Sequence, residues 1–547
     1  MPRTAIQSQS RAVLLHGVAP ATVYFVAFAA LTQPLLARWS THLFADAGDG
    51  LQNLWNAWWV NEAIVELHRS PWRTDLLQAP VGVTLLGHTL NPFNGFAAIF
   101  LIPIMGLVES YNFMVVFSFV AAGATAHLLA FRVSRSYAGS LAAGFAFTFG
   151  AYHFAHAAGH MQLVSLEWIP LFLLAWLAFI DRPSVARGAG AAGALFLVGL
   201  CDYYYLFYCV AAGAIAAIRK AFRARDVHYY WRRGRAAGTA TFIILSMATS
   251  GALASALLLA NARDPFLGAH PSREFSTDLL APIVHGGHWR FSHLTRFYWS
   301  ALPGNINESS VHLGWAVLGL LTYIWIRRRR LAVESPGLWF GLAAVFFALS
   351  LGPTLRVWGR DTGLPMPYAL LEIALPPLRL SGMPVRMMVM TSLAASIVAA
   401  VGIGDLRSRG RRGRTAAAAL MAAIAIESWP QPMPTTELQA PEYVHFLRDR
   451  PERGPTLDLS ANPFWNLYFQ TVHRQPLANG YLARYPASAF ERVEAIRAAV
   501  VRGDYGGLRD RFGVRYVVVR PDSEHRPPEG ALVFEDGFGR VFDLHRL

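Results

Sequence analysis

Eleven apolar runs, each about as long as a helix needs to be to cross a bilayer, recur along most of this 547-residue chain. One such run can be buried inside a soluble domain. Eleven cannot share one soluble core, and a bilayer is the solvent that accepts them. Composition agrees: 54% of residues are hydrophobic and 15% charged, where a soluble protein carries about 25% charged. The pattern predicts membrane spans at 12–36, 111–131, 138–153, 162–180, 186–200, 203–218, 236–260, 311–326, 336–352, 385–404 and 413–429. A further apolar segment, 93–108, is short, follows Pro92 and carries Pro103.

Charge sets the orientation. The formal net charge is +14, and Lys220 is the only lysine. The arginines gather at Arg132–Arg135, Arg182–Arg187, Arg219–Arg235, Arg327–Arg330 and Arg407–Arg414, between apolar runs. That is the distribution of membrane topology and argues against nucleic-acid binding. The connections after 36 and at 154–161, 201–202, 261–310 and 353–384 are poor in Arg for their length. The two sets alternate only if 93–108 does not cross. The sequence therefore predicts eleven crossings plus one re-entrant or interfacial segment. The N-terminus is then cytoplasmic, and loop 37–110 and the tail from about 430 lie outside. The first run is longer than a signal-peptide core and lacks a cleavage site, so it reads as a membrane helix. Cys201 and Cys209 would stand about 12 Å apart along a helix, too far for a disulfide.

The first external loop, FADAGDGLQNLWNAWWVNEAI, holds the densest set of unusual polar residues. Asp46 and Asp49 share a face if helical. Leu51, Leu54, Trp55, Trp58 and Trp59 follow at helical spacing and predict a helix lying in the interface, the zone Trp favours. Both carboxylates fall at its N-terminal end, where the helix dipole favours anions. An ionised carboxylate beside a lipid headgroup suits general-base work or metal binding; Asp49 also reads as an N-cap. Downstream, APVGVTLLGHTLNPFNG places His88, Asn91 and Asn94 either on the wall of an external cavity or in a turn before the next helix. The third span ends in YHFAHAAGHMQ, where His153, His156 and His160 are spaced to share one face. They read as substrate contacts, as ligands of a divalent ion together with Asp49, or as interfacial residues satisfied by water and backbone. Glu167, in a membrane helix, calls for a cavity.

The string from Asp46 to Trp59, then GHTLNPFNG, then FAFTFGAYHFAHAAGHMQLVSLEWIPL, resembles the GT-C glycosyltransferase superfamily. Within it, the order of motifs is similar to a bacterial subgroup of YfhO-like polytopic proteins, over roughly 12–404. The resemblance implies an all-α polytopic membrane protein with interfacial and re-entrant helices, set in a bacterial inner membrane. It implies a sugar transferase fed by a polyprenyl-phosphate donor, with a first-loop Asp as base. Asp49, which directly precedes the Trp helix, is favoured over Asp46. Many members carry a second acidic residue, often tied to a metal, in the next external loop. Here none stands before Glu167, so the sequence assigns no metal ligands.

Loop 261–310 gathers His270, Arg273, Glu274, Asp278, His285, His288 and His293, but its HGGH lacks a metal-ligand spacing. In 353–384, apolar spacing around Leu370 and Leu371 predicts a short interfacial helix. Arg379 and Arg386 follow at the outer end of the next span, suited to a lipid phosphate or to snorkelling. From about 430 the chain becomes polar. GPTLDLS and VRYVVVRP read as strands and Ser488–Val501 as a helix. Together they predict a small extracytoplasmic α/β domain over 430–547, after a membrane domain over 1–429.

These readings converge on inverting sugar transfer to a glycan, lipid or protein acceptor. Asp49 would take the acceptor proton, and Arg386 with the His cluster would stabilise the departing lipid phosphate. His88, Asn91, Glu167 and Arg379 complete the expected substrate set. Two rivals stand: a transporter or lipid flippase, for which no inverted repeat is visible, and a non-catalytic membrane assembly partner.

Overall fold

The computed structural model describes residues 13–330, 336–380 and 382–547. The first twelve residues, where the sequence puts a cytoplasmic N-terminus, lie outside them. Among the described residues, six helices are long and apolar enough to cross a bilayer: Leu14–Leu31, Leu107–Ser134, Met161–Asp181, Tyr203–Ala224, Ala236–Arg263 and Pro384–Arg407. Pro92–Met105, Val185–Cys201 and Gly337–Ser350 are shorter apolar helices. The chain is an integral membrane protein. Helices also occupy the remaining predicted runs, as Tyr137–Thr148, Trp315–Arg327 and Gly410–Glu427. The first two rise only about 18–20 Å, less than a hydrocarbon core of about 30 Å; the third is rich in Arg over its first two turns.

The chain forms two compact units. The first comprises Met1–Ala37, Phe113–Ala254 and His270–Met433. Its centre is Pro384–Arg407, with 89% of its apolar window buried. Small residues let other backbones approach this helix. A Cβ on Gly139 would sit 2.3 Å from the Ala400 carbonyl oxygen, so Tyr137–Thr148 lies directly against it, started by a Ser136 cap on the Gly139 N–H. Tyr24 is wedged over Gly123 and Gly144 and donates its hydroxyl to the Leu141 carbonyl at 3.1 Å. Ala236–Arg263, by contrast, has only 6% of its window buried; Phe242 packs on Trp176 and Phe179, and an apolar helix left largely uncovered by protein is one that faces lipid.

The second unit comprises Arg38–Asn112, Ser255–Ala269 and Pro434–Leu547. A four-stranded sheet runs in the order Leu532–Glu535, Arg540–Asp543, Tyr516–Val519, Thr456–Asp458. Its last pair is parallel and the others antiparallel. Tyr516–Val519 is buried along its length, which is why it reads as a continuous apolar run. On one face Val517 and Phe542 pack with Ile496, Leu508 and Phe512; on the other Val518 and Val541 pack with Tyr443, Leu447 and Phe469. Short antiparallel pairings of His42–Leu43 with Thr436–Glu437, and of Phe266–Leu267 with Tyr485–Pro486, tie the three segments together.

The Trp helix departs from expectation. Asp49–Asn61 is buried on every face from Gly50 to Val60, so it is not an interfacial helix with its indoles at the headgroups. Protein satisfies what headgroups and water would have. Trp55 Nε1 donates to Gln470 Oε1 at 2.7 Å and Trp59 Nε1 to the Pro71 carbonyl at 3.0 Å. On the polar face Gln52 donates to the Thr89 hydroxyl, and Asn56 Nδ2 to the Thr89 carbonyl at 2.8 Å.

Candidate functional site

Functional candidates gather in two clusters, one in each unit. In the second unit the cluster is built on the start of Asp49–Asn61. The preceding residue, Gly48, has no side chain to cap with, and Asp49 is already the first helical residue, so Asp49 is not the N-cap. Capping falls to Asp46, whose Oδ1 accepts the N–H groups of Gly48 at 2.9 Å and Gly50 at 3.3 Å. This answers part of the helix's unmatched donor set. It leaves the two carboxylates unequal, with Asp46 bound to backbone and Asp49 carried on the first turn. The loop folds tightly enough that a Cβ on Gly50 would lie 2.5 Å from that of Ala45. Tyr481, which sequence reading did not single out, lies in the field of Asp49; burial first, and then Asp49, push its hydroxyl up to about 12.

His88 and Asn91, both expected at substrate, each make contacts within the protein. His88 is buried, with Nε2 2.9 Å from Asn56 Oδ1 and Nδ1 accepting the Ala483 N–H at 3.1 Å. An accepting Nδ1 puts the proton on Nε2, and burial pushes the ring down to about 3, so it is neutral. Asn91 sits at φ 46° and caps Pro92–Met105 by accepting the Asn94 N–H.

In the first unit the three histidines do not share one face. The helix ends at Ala157, and the next, Met161–Val164, begins after a turn. His153 turns inward, stacked on Phe119 at 3.8 Å, with its nitrogens 2.8 Å from the Thr148 carbonyl and 2.9 Å from that of Val164. His156 and His160 do meet, Nδ1 to Nδ1 at 3.1 Å. His156 Nε2 is buried without a hydrogen-bond partner and faces Glu308 Oε2 at 3.8 Å. Tyr152 braces this loop: its ring meets His156 edge-on, and its hydroxyl reaches that of Tyr205, which donates to the Leu163 carbonyl.

Glu308 is the residue that sequence reading missed. The stretch Asn305–Glu308 has the spacing of a capping motif, and Asn305 Oδ1 does accept the Glu308 N–H at 2.9 Å. The carboxylate, however, turns to Arg386, which donates from Nε at 3.1 and 3.3 Å and from Nη2 at 2.6 Å. Arg386 is therefore buried in an ion pair, over the Tyr204 ring at 5.0 Å, and does not stand open to a headgroup as expected. A buried guanidinium needs a counter-charge, and Glu308 supplies it. Arg379 remains exposed on the turn Pro376–Leu380. Asp202 starts Tyr203–Ala224 by accepting the Tyr204 N–H at 2.6 Å; burial pushes its carboxyl up to about 7 against the pull of Arg386. Glu167 is buried, its Oε2 2.6 Å from the Ser118 hydroxyl.

One ligand atom each from His156, His160 and Glu308 lies within 4.8 Å of the others, a set that could hold a divalent cation. Protonation states suit it. Burial holds His156 neutral, far below its ordinary value. Burial also works to raise Glu308, but the Arg386 guanidinium outweighs it and holds the carboxyl down at about 2. Neutral imidazole and carboxylate are the forms that bind metal. The carboxylate of this set comes from a segment some 150 residues away in the chain.

No protein-family profile and no curated protein sequence matches the chain. Among solved structures, the arabinofuranosyltransferase AftD from Mycobacteria aligns at TM-score 0.56 with 14% identity, over 97% of this chain and 41% of that one. A second AftD structure aligns at 0.50 with 13% identity, over 97% and 40%. The oligosaccharyltransferase AglB from Archaeoglobus fulgidus aligns at 0.47 with 11% identity, over 92% and 69%, too loosely to carry weight. The chain thus spans about two fifths of AftD. What the AftD alignment establishes is that this chain has the fold of the aligned part of that protein.

Proposed function

We propose that the protein is a membrane glycosyltransferase that moves a sugar from a polyprenyl-phosphate donor to an acceptor hydroxyl on the extracytoplasmic face. The observation that carries this reading is Asp49, set on the first turn of a protein-sealed helix in a chain with the fold of the aligned part of AftD. The YfhO-like motif order is consistent with it. Sugar nucleotides are cytosolic, so an external site draws on a lipid-linked donor; the acceptor is a lipid, a cell-wall glycan or a protein. Asp49 serves as the base that takes the acceptor proton, the helix dipole favouring its ionised form. Asp46 holds the helix start that positions it. His156, His160 and Glu308 would by themselves hold a divalent cation, which when bound would supply Lewis-acid charge to an anionic ligand. Arg386 keeps Glu308 ionised for that task. The tail beyond residue 430 is proposed to fold outside the membrane.

A transfer assay on purified protein with polyprenyl-phosphate-linked sugars tests the assignment. Loss of a general base costs roughly 10²–10⁴-fold, so Asp49→Asn should fall in that range while Asp46→Asn keeps more activity. Unchanged product yield in both variants would remove the transferase reading at this site. Mass spectrometry of surface glycans and glycolipids from a deletion strain identifies sugar and acceptor.

A further inference from the structure

The long loop 261–310 holds one short helical stretch with its faces reversed. Ser292–Thr295 is a 3₁₀ turn that runs directly into the helical turn Arg296–Trp299, so residues three apart stack in rows. One row, Ser292, Thr295 and Tyr298, is buried. A second, Phe291, Leu294 and Phe297, is 36%, 60% and 62% exposed. The third, Arg290, His293 and Arg296, is exposed as well. The hydroxyls turned inward are matched. Ser292 Oγ accepts from Gln431 Nε2 at 3.1 Å, Thr295 donates to the Ser292 carbonyl at 3.1 Å, and Tyr298 donates to Asp278 Oδ1 at 2.9 Å. A stretch that hides its hydroxyls and bares two Phe and a Leu is costly in water. Hydrocarbon on the bared row, with polar headgroups over the Arg row, removes that cost.

Its anchorage gives its depth. The Arg290 N–H donates to the Trp429 carbonyl and the Gln431 N–H to the His288 carbonyl, each at 2.7 Å, which ties the stretch to the end of Gly410–Glu427. Beside that end Trp315–Arg327 begins, its Ala316 N–H donating to Glu427 Oε2 at 3.0 Å. Both helices pack with Ala395, Ala399 and Ile403 of the central span. At the opposite end Arg327 Nε lies 3.3 Å from Asp405 Oδ2, near the arginine end of that span. From there the 13 residues of Trp315–Arg327 rise about 20 Å. A hydrocarbon core of about 30 Å leaves about 10 Å of apolar layer beyond Trp315. The Phe291 row stands in that layer, with exposed indoles on either side: Trp429 at 6.5 Å from the Phe291 ring and Trp358 at 5.7 Å from that of Phe297. Backbone bonds close within the stretch, from the Leu294 N–H to the Phe291 carbonyl at 3.0 Å and from the Ser300 N–H to that of Arg296 at 3.1 Å, as hydrocarbon requires. We propose that residues 290–299 are a membrane-inserted segment, with Phe291, Leu294 and Phe297 against lipid acyl chains and Arg290 and Arg296 reaching the headgroups.

The test uses the full chain in vesicles of phosphatidylethanolamine and phosphatidylglycerol that carry a diazirine in the acyl chain. Photolysis should attach lipid to the tryptic peptide Phe291–Arg296 as it does to the lipid-facing peptide Ala236–Arg263. A nitroxide coupled to Leu294→Cys or Phe297→Cys should collide with oxygen several-fold more often than with a water-soluble nickel chelate. Cys201 and Cys209 are buried, so the wild type serves as the labelling blank. A wild-type Phe291–Arg296 peptide without lipid, beside a labelled Ala236–Arg263, overturns the proposal, and that comparison needs no variant to fold. A nitroxide reached mainly by nickel overturns it as well, since it marks a surface in water. So does a nitroxide reached by neither reagent, which marks a covering protein chain or a second copy of this one.

Discussion

Glu308→Gln probes the buried ion pair with little change in volume. Arg386 is 6% exposed and makes three contacts with the Glu308 carboxylate, at 2.6, 3.1 and 3.3 Å. The amide leaves a guanidinium buried without its counter-charge. Removing one partner of a buried pair costs about 3–5 kcal/mol. The Gln oxygen still accepts one hydrogen bond, which places the expected loss near the lower end, about 3 kcal/mol. Adding Arg386→Met removes the second charge and its desolvation penalty together, so the double variant should return to within about 1 kcal/mol of wild type. Denaturant unfolding followed by Trp fluorescence reads both. A single variant as stable as wild type, or a double variant less stable than the single, would refute this account of the pair. Acid gives an independent check. The folded carboxyl, at about 2, lies below its unfolded value of about 4.3. The pair's contribution is therefore complete above about pH 4.3 and is lost as pH falls toward the folded value. Glu308→Gln should flatten that limb.

Three further outcomes follow from other sites. His88→Leu strands the Asn56 carbonyl oxygen and the Ala483 N–H, at about 1–3 kcal/mol each, read by thermal unfolding. Because the folded His88 titrates near 3, below the unfolded value of about 6.5, its contribution is complete above about pH 6.5 and lost as pH falls from there. The Leu variant should lose less stability over that window than wild type does. Gly95→Ala pushes a Cβ to 2.6 Å from Val60 Cγ2 and 2.7 Å from Val60 Cβ, an overpacking cost of about 1–3 kcal/mol read by thermal unfolding; Val60→Ala, which keeps that Cβ, should relieve only part of it. Zinc or manganese titrated into the protein should bind near one per chain by calorimetry, and Glu308→Gln or His156→Ala should abolish that binding; unchanged stoichiometry would dismiss the cation site.

What could be read in advance follows the range of the interaction. Helices at the predicted runs were legible because an apolar stretch of that length has few alternatives. The Asp46–Asp49 pair was legible because its signal lies within one stretch of a dozen residues. The strand Thr456–Asp458 showed in the alternation of GPTLDLS, and Tyr516–Val519 in its β-branched run. The division of labour between Asp46 and Asp49 was not legible, since it turns on where the helix starts within three residues. Nor was the split of the histidines, which follows from the helix ending at Ala157. Glu308 carried a local capping signature and a distant partner, and sequence spacing reports only the first. The Trp stripe was identified correctly as helical, but a stripe does not say whether lipid or protein covers it.

The bond from Trp55 to Gln470 joins residues 415 positions apart, and the Thr436 hydroxyl reaches back to the Ala45 carbonyl across 391. Ribosomal synthesis delivers the first of these partners long before the second. Until the C-terminal hundred residues emerge, the tryptophan-rich segment has no permanent cover, and its maturation must wait for the end of translation. Chains cut short ahead of residue 434 should therefore be cleared by quality control even with every membrane helix already inserted.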